Sequence, residues 1–227
     1  MAQKLGLALS LPTIKKVGGG WQPSDETGLE AWYKNQTGIT LNGEKVEAWA
    51  DSSSNSFNML QATVSEQPAY NSGDIDFTSA NTTNLQAASD ITLSGAFTVG
   101  IKLEPDVSNV AVIGSNTTTN EFFKITSTTN LRFKTDGSQV DMTIDSGTLI
   151  TALNLVITRN SSDLITLYLD GVAQADTETL AGTADINAIG VRATDANPYD
   201  GTISEVQIYD TESTALTANV STYLSNI

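Results

Sequence analysis

The sequence predicts an all-β protein, a sandwich of two antiparallel sheets with one short helix at its C-terminal end. Apolar and β-branched runs, such as residues 110–113, 121–126 and 130–134, recur roughly every ten residues. Turns rich in Gly, Asn and Asp separate them, and this spacing is typical of a sandwich or barrel. Only 16% of the 227 residues are charged, so Ser, Thr, Asn, Gln and Gly supply most of the polar surface. Thr suits a pleated sheet, and Asn and Gly suit tight turns.

Two local signals place strands in the C-terminal half. Leu153–Arg159 and Leu164–Leu169 have the composition of neighbouring strands joined by a polar turn. Asp170-Gly171 then predicts a tight hairpin turn, because Gly adopts positive φ without strain and Asp tolerates it. Gly201 is expected where the chain bends into a later strand.

Only the end of the chain has a helical pattern. Leu216, Val220 and Leu224 recur every four residues and form one apolar stripe. Ser213 or Thr214 could act as the N-cap, because a hydroxyl oxygen accepts a hydrogen bond from the first free N–H groups of a helix. We therefore expect a short helix that packs against the sandwich.

Residues 1–24 differ from the rest and are predicted to form an extended arm with a Gly-rich hinge, followed by one domain over 25–227. The arm has three lysines and no acidic residue, and it contains Gly18-Gly19-Gly20. Strictly alternating leucines are typical of a strand, which needs a partner: its own domain, a sister subunit in a homo-oligomer, or a different protein. A disordered tail or an extra edge strand are the alternatives. The residues expected to mediate assembly are Leu5, Leu7, Leu9, Leu11, Lys15 and Lys16.

Composition excludes several classes of function. The formal net charge is −15, and no cluster of Lys and Arg could track a nucleic-acid backbone. The absence of His and Cys removes Ser-His-Asp and Cys-His catalysis, disulfides and the usual zinc ligands. No apolar run is long enough to span a bilayer, so we expect no membrane insertion. The N-terminus lacks a clear signal-peptide pattern, which predicts synthesis in the cytoplasm without a leader.

Several of these segments, taken in order, resemble the concanavalin A-like lectin/glucanase superfamily in its laminin-G-like branch. They are residues 28–33, 50–55, 75–77, 97–102, 154–159, 165–172, 189–190 and 199–210. The resemblance covers about nine-tenths of the chain and implies a jelly-roll β-sandwich of two antiparallel sheets.

The resemblance also implies a possible calcium ion and argues against catalysis. Similar domains can hold calcium between the loop at Asp51 and Asn55 and an acidic pair, which here is Ser204-Glu205, so one carboxylate is missing. The alternative is an Asx-turn at Asp51. Glycosidases of this fold carry a Glu-x-Asp-x-Glu strand, which is absent. The nearest carboxylates, Asp74 and Asp76, share one face of a strand, and we predict no enzymatic activity.

The candidate sugar-binding residue is Tyr199, in a loop with Asn197. Trp32, Trp49 and Phe97 are expected in the core, whereas Tyr199 lies near a turn tip where an exposed ring could stack on a sugar. The alternative is that Tyr199 packs over its own loop.

The arm adds a second resemblance. Residues 4–12 are similar to the opening of some structural proteins of tailed bacteriophages. This similarity implies a virion protein, either a capsid decoration or a neck- or tail-associated component. Its arm would dock on other virion proteins, and the jelly roll would face outward. The alternative function is a lectin-like adhesion module for a cell-surface glycan.

Overall fold

The computed structural model describes residues 20–118 and 121–227, and it confirms the predicted all-β architecture. This part of the chain contains seventeen strands and one α-helix. The strands are β1 Leu29–Tyr33, β2 Ile39–Asn42, β3 Lys45–Trp49, β4 Met59–Leu60, β5 Ala69–Asn71, β6 Asp74–Phe77, β7 Leu85–Leu93, β8 Phe97–Pro105, β9 Val110–Gly114, β10 Glu121–Ile125, β11 Asn130–Thr135, β12 Ser138–Thr143, β13 Leu153–Arg159, β14 Leu164–Leu169, β15 Val172–Thr179, β16 Ala184–Ile189 and β17 Gly201–Tyr209. The helix α1 is Thr214–Leu224, and short 3₁₀ turns occupy Pro23–Asp25, Val64–Glu66, Ser79–Asn81 and Ala193–Asp195.

The strands form two antiparallel arrays. The first runs β15-β14-β13-β8-β17, and the far edge of β17 pairs with both β6 and β1. The second runs β12-β11-β10-β9-β16-β7-β4-β3-β2. The pairing of Lys45 in β3 with Ala69 in β5 links the arrays, because β5 also pairs with β6. The last strand, β17, is therefore a central strand with neighbours on both sides.

Aromatic side chains join the two arrays in one core. Phe97 of the first array meets Phe122 of the second with ring centroids 5.5 Å apart in an edge-to-face arrangement. Phe123 stacks on Phe133 at 5.6 Å. Trp32, Trp49 and Phe97 are all buried, as predicted. Such pairs stabilise a core beyond the area that they bury.

The predicted helix and its N-cap are confirmed. Ser213 Oγ accepts a hydrogen bond from the backbone N–H of Leu216 at 3.1 Å. Leu216 and Val220 pack with Val156 and Tyr209 on the outer face of the first array. Gly100 allows this close approach, since a Cβ at that position would collide with the Val220 side chain. With eleven residues, α1 is the longest helix of the described part, where no helix is long and apolar enough to cross a membrane.

The hairpin turn and the bend predicted from glycine are also confirmed. Asp170 and Gly171 have φ angles of 48° and 81°, which matches a tight turn of the primed type. Gly201 begins β17 with a φ of 130°. A Cβ there would lie well inside contact distance of the Glu104 carbonyl oxygen. The position therefore combines a backbone conformation and a close approach that only glycine allows.

We expect Gly201→Ala to lower the free energy of unfolding by at least about 2 kcal/mol, because a strained φ and a backbone clash add together. Urea denaturation measures this change. Gly95→Ala is the matched control, since a Cβ added at that position would meet nothing within 4 Å, and it should change stability by no more than about 0.5 kcal/mol. Equal stability of the two variants would contradict the structural role of Gly201.

Candidate functional site

The loop predicted to bind calcium is held by hydrogen bonds to Asp51. Its Oδ1 accepts from the backbone N–H groups of Trp32 at 2.9 Å and Ser53 at 2.8 Å. Its Oδ2 accepts from Ser53 Oγ at 2.6 Å and from the backbone N–H of Phe57 at 3.0 Å. A carboxylate offers about four acceptor positions, and all of them are in use. The bonds within this loop match the Asx-turn alternative.

The other two predicted ligands point to different partners. Asn55 Nδ2 donates to the carbonyl oxygen of Glu30 at 3.0 Å. Glu205 is fully buried and accepts from Trp32 Nε1 at 2.6 Å, from the backbone N–H of Asn35 at 2.9 Å and from Gln207 Nε2 at 2.8 Å. Protein donors thus occupy the carboxylate oxygens of Asp51 and Glu205, the two charged ligands that a cation would need.

These residues do not fit a calcium ion in the described arrangement. Calcium takes six to eight oxygen ligands, several of them carboxylates. Within residues 20–118 and 121–227, no group of three or more acidic side chains is placed to hold a metal. Calcium binding therefore stays a prediction of the sequence, and a role for Asp51, Asn55 and Glu205 as hydrogen-bonding residues accounts for their positions.

The Glu205 network crosses from the last strand to the first. Burial raises the pKa of the Glu205 carboxyl, while the hydrogen bonds from Asn35, Trp32 and Gln207 and the charge of Lys34 oppose that rise. Tyr209 Oη donates to Gln207 Oε1 at 2.9 Å and extends the chain of hydrogen bonds. A buried polar network of this kind is stable only when every member has a partner.

The prediction of an exposed ring at Tyr199 is corrected by the structure. Tyr199 is fully buried, its ring meets Phe77 edge-to-face at 5.9 Å, and its hydroxyl donates to the carbonyl oxygen of Thr202 at 3.2 Å. The ring has no free face for a sugar, because the core offers it an apolar contact and a hydrogen-bond acceptor together. Asn197 has a φ of 49° and accepts from Arg192 Nε at 2.8 Å, so its amide oxygen shapes the loop.

The remaining predicted residues fall into two groups. Asp74 and Asp76 lie on one face of β6, as expected, where Asp74 accepts from Ser204 Oγ at 2.5 Å and Asp76 accepts from Asn71 Nδ2 at 2.6 Å. The residues of the assembly arm lie outside the described residues; they are Leu5, Leu7, Leu9, Leu11, Lys15 and Lys16.

Partly exposed aromatic rings come together beside the C-terminal helix instead. Trp21 and Tyr223 meet edge-to-face with centroids 6.1 Å apart, and Tyr223 meets Trp32 in the same way at 6.2 Å. Trp21 Nε1 donates to Glu26 Oε1 at 2.8 Å, which fixes the indole. Burial and the negative charge of Glu205 raise the pKa of Tyr223 to about 12. The phenol is therefore a neutral donor at physiological pH.

The rings of Trp21 and Tyr223 border a cleft of about 430 Å³, which we call the aromatic cleft. The amides of Gln22, Asn219 and Asn226 and the hydroxyl of Thr222 also line it. Gly20 and Ile227 are the remaining lining residues. Its size lies within the range of small-ligand sites, which combine aromatic walls with a few polar groups. No Asp or Glu lines this cleft among the described residues.

A second cleft of about 280 Å³ lies at the end of the helix, and we call it the polar cleft. Most of its lining side chains are polar, and they include Asn35, Asp74, Glu104, Thr202 and Ser204. Ile227 also lines it, so the two clefts share one residue.

Sequence reasoning missed the aromatic cleft for two identifiable reasons. Trp21 follows the Gly run and was assigned to the arm, although it packs on the helix. Tyr223 stands just off the stripe of Leu216, Val220 and Leu224. An aromatic residue beside a packing stripe, together with a tryptophan at a domain boundary, was the available signal.

The two packed antiparallel sheets, with a helix on the outer face of one, define a lectin-type jelly roll. A laminin-G-type family model, described as concanavalin A-like lectin/glucanases superfamily, matches residues 73–219. This match spans more than half of the chain, which therefore belongs to that superfamily. No curated protein matches the sequence.

Solved structures share this fold at low sequence identity. The binding domain of Paraclostridial Mosquitocidal Protein 1 is 15% identical with a TM-score of 0.58, covering 90% of this chain and 53% of that one. This chain thus spans about half of that structure. Domain 4 of AbnA, a GH43 extracellular arabinanase from Geobacillus stearothermophilus in complex with arabinotriose, is 15% identical with a TM-score of 0.59, covering 85% and 98%. The Trypanosoma rangeli sialidase is 13% identical with a TM-score of 0.58, covering 88% and 33%.

We expect the buried carboxyl of Glu205 to give stability a specific dependence on pH. Because its pKa is raised in the folded state, the folded protein binds the proton more tightly than the unfolded chain. The contribution to stability is full below the ordinary carboxyl pKa and is lost as pH rises through the raised value. Within that window the slope approaches about 1.4 kcal/mol per pH unit.

Chemical denaturation across this pH range, compared between the wild type and Glu205→Gln, measures the effect. The variant should lack this falling component, so its stability relative to the wild type should improve as pH rises. Glu47→Gln is the control because Glu47 is exposed on β3, and it should leave the slope unchanged. Parallel curves for the wild type and Glu205→Gln would contradict the assignment.

Proposed function

We propose that the chain is a non-catalytic glycan-binding module and that the aromatic cleft holds a sugar ring. The observation that carries this proposal is the placement of Trp21 and Tyr223 beside amide and hydroxyl side chains. A pyranose or furanose has apolar C–H faces that pack on aromatic rings, and hydroxyls that pair with amides. Rings with a polar edge suit a surface that is partly apolar and partly wet.

The chemistry of the cleft favours binding over turnover. Hydrolysis of a glycosidic bond normally needs two carboxylates on opposite sides of the bond, and the described lining of the aromatic cleft contains neither Asp nor Glu. The arabinanase domain solved with arabinotriose is a protein of the same fold that holds a sugar. This likeness supports a glycan ligand for the present chain, and the cleft residues give the proposal a site.

We expect Tyr223→Ala to weaken glycan binding about tenfold, since removing one aromatic contact costs roughly 0.5–1.5 kcal/mol beyond its lost area. A glycan array identifies the ligand, and calorimetry measures its affinity with and without added calcium. Calcium should leave the affinity unchanged, because hydrogen bonds from the protein already occupy the carboxylate oxygens of Asp51 and Glu205. Tyr70→Ala makes the same chemical change away from the cleft and should bind normally. An array on which the wild type binds no glycan would refute the proposal.

We also propose that residues 1–19 dock this module on a larger particle, as the virion hypothesis holds. The observation behind it is a pattern in the sequence: alternating leucines and three lysines precede a domain that carries all 26 acidic residues. An alternating apolar strand is suited to β-augmentation of another sheet. This second proposal is independent of the glycan site.

Deletion of residues 1–19 should abolish incorporation into particles while leaving the domain folded, because Trp21 and its contacts are retained. Quantitative mass spectrometry of purified particles measures incorporation, and thermal unfolding checks the fold. A full-length Lys15→Gln/Lys16→Gln variant separates the contribution of charge from that of the leucines. Normal incorporation of the truncated chain would remove this role.

A further inference from the structure

We infer, resting on the glycan-binding function proposed above, that the ligand is a neutral oligosaccharide spanning both clefts. One sugar ring would lie in the aromatic cleft, and the chain would pass over Ile227 into the polar cleft. The ligand class is then set by two separate surfaces: an aromatic subsite for the first ring and a hydrogen-bonding subsite for the rings that follow.

The two clefts are held in a fixed relation. Ile227 lines both of them. The Glu205 carboxylate binds Trp32, whose ring supports Tyr223 in the aromatic cleft, and it also binds the backbone of Asn35, which lines the polar cleft. One buried group thus helps to position a residue of each cleft, Asn35 directly and Tyr223 through Trp32.

The polar cleft is rich in hydrogen-bond acceptors. Thr202 of β17 lies directly opposite Glu104 of β8, and both line the cleft with Asp74. Asn35 Oδ1 is buried and has no hydrogen-bond partner. Carboxylates and amide oxygens require donors, and the hydroxyl groups of a sugar chain supply several donors along their length.

Charge excludes acidic sugars from the same surface. No Lys or Arg lines the aromatic cleft in the described part of the chain. Lys102 lines the polar cleft and keeps its positive charge, but its ammonium group is held by hydrogen bonds to Leu224 and Ile227, and two carboxylates line the same cleft. A uronic or sialic carboxylate in the polar cleft would face Asp74 and Glu104 on a protein of net charge −15. Juxtaposed like charges are strongly unfavourable.

Calorimetric titration with a length series tests this inference. The probes are arabinose and its linear oligomers, arabinotriose included, together with lactose and its sialylated form. For the neutral sugar that binds, affinity should rise at least tenfold from the single ring to the longer chains, and the sialylated probe should bind at least tenfold more weakly than its neutral parent. Where the arabinose series is silent, the length series of the array's best neutral ligand replaces it.

Two variants separate the subsites. Glu104→Gln with Thr202→Val should abolish the gain with length and leave single-ring affinity intact, whereas Tyr223→Ala should weaken every probe. Glu104→Lys should reduce the difference in affinity between the neutral probe and its sialylated form. Glu47→Gln should behave as the wild type. Affinity independent of length, or equal affinity for the sialylated probe, would overturn the inference while leaving the glycan-binding proposal standing. Silence of all probes with the wild type would instead overturn the proposed function.

Discussion

The hydrogen bonds to the buried Glu205 carboxylate connect the last strand of the domain to the first one. The rest of the structure depends on this connection. This carboxylate lies on β17, the strand with neighbours on both sides, and its donors come from β1, from the segment after β1 and from β17 itself. Inside a protein, a charged acceptor without donors is costly, while a fully paired one orders every group that binds it. Trp32 therefore has one position, and Tyr223 packs against it. Tyr223 connects this network to the outer helix and the aromatic cleft, and Asn35 connects it to the polar cleft.

A buried cation has a complementary role at the start of β8. Arg159 is fully buried and donates to the carbonyl oxygens of Gly95 at 2.8 Å, Gly182 at 2.6 Å and Leu93 at 3.2 Å. Its guanidinium lies 4.8 Å from the centre of the Phe97 ring. Five fixed donors suit this task better than the single point charge of lysine. The sandwich thus contains a buried anion in the middle of β17 and a buried cation beside Phe97, the first residue of β8.

The sequence predicted what is decided locally and missed what depends on distant contacts. The turn at Asp170-Gly171 and the helix N-cap at Ser213 follow from a few adjacent residues, and the structure confirms both. The environment of Tyr199 depends on Phe77, more than a hundred residues away, and no local pattern reports it. The hydrogen bond from Trp32 to Glu205 joins residues 173 positions apart, and no spacing in the sequence could pair them.

The aromatic cleft, on which the proposed function depends, lies outside the core of the sandwich. Both of its walls, residues 20–22 and the last turn of α1, are additions to the outer face of the first sheet. The core could therefore keep its packing while these additions change, which explains why membership of a superfamily specifies the fold and leaves the ligand to particular side chains.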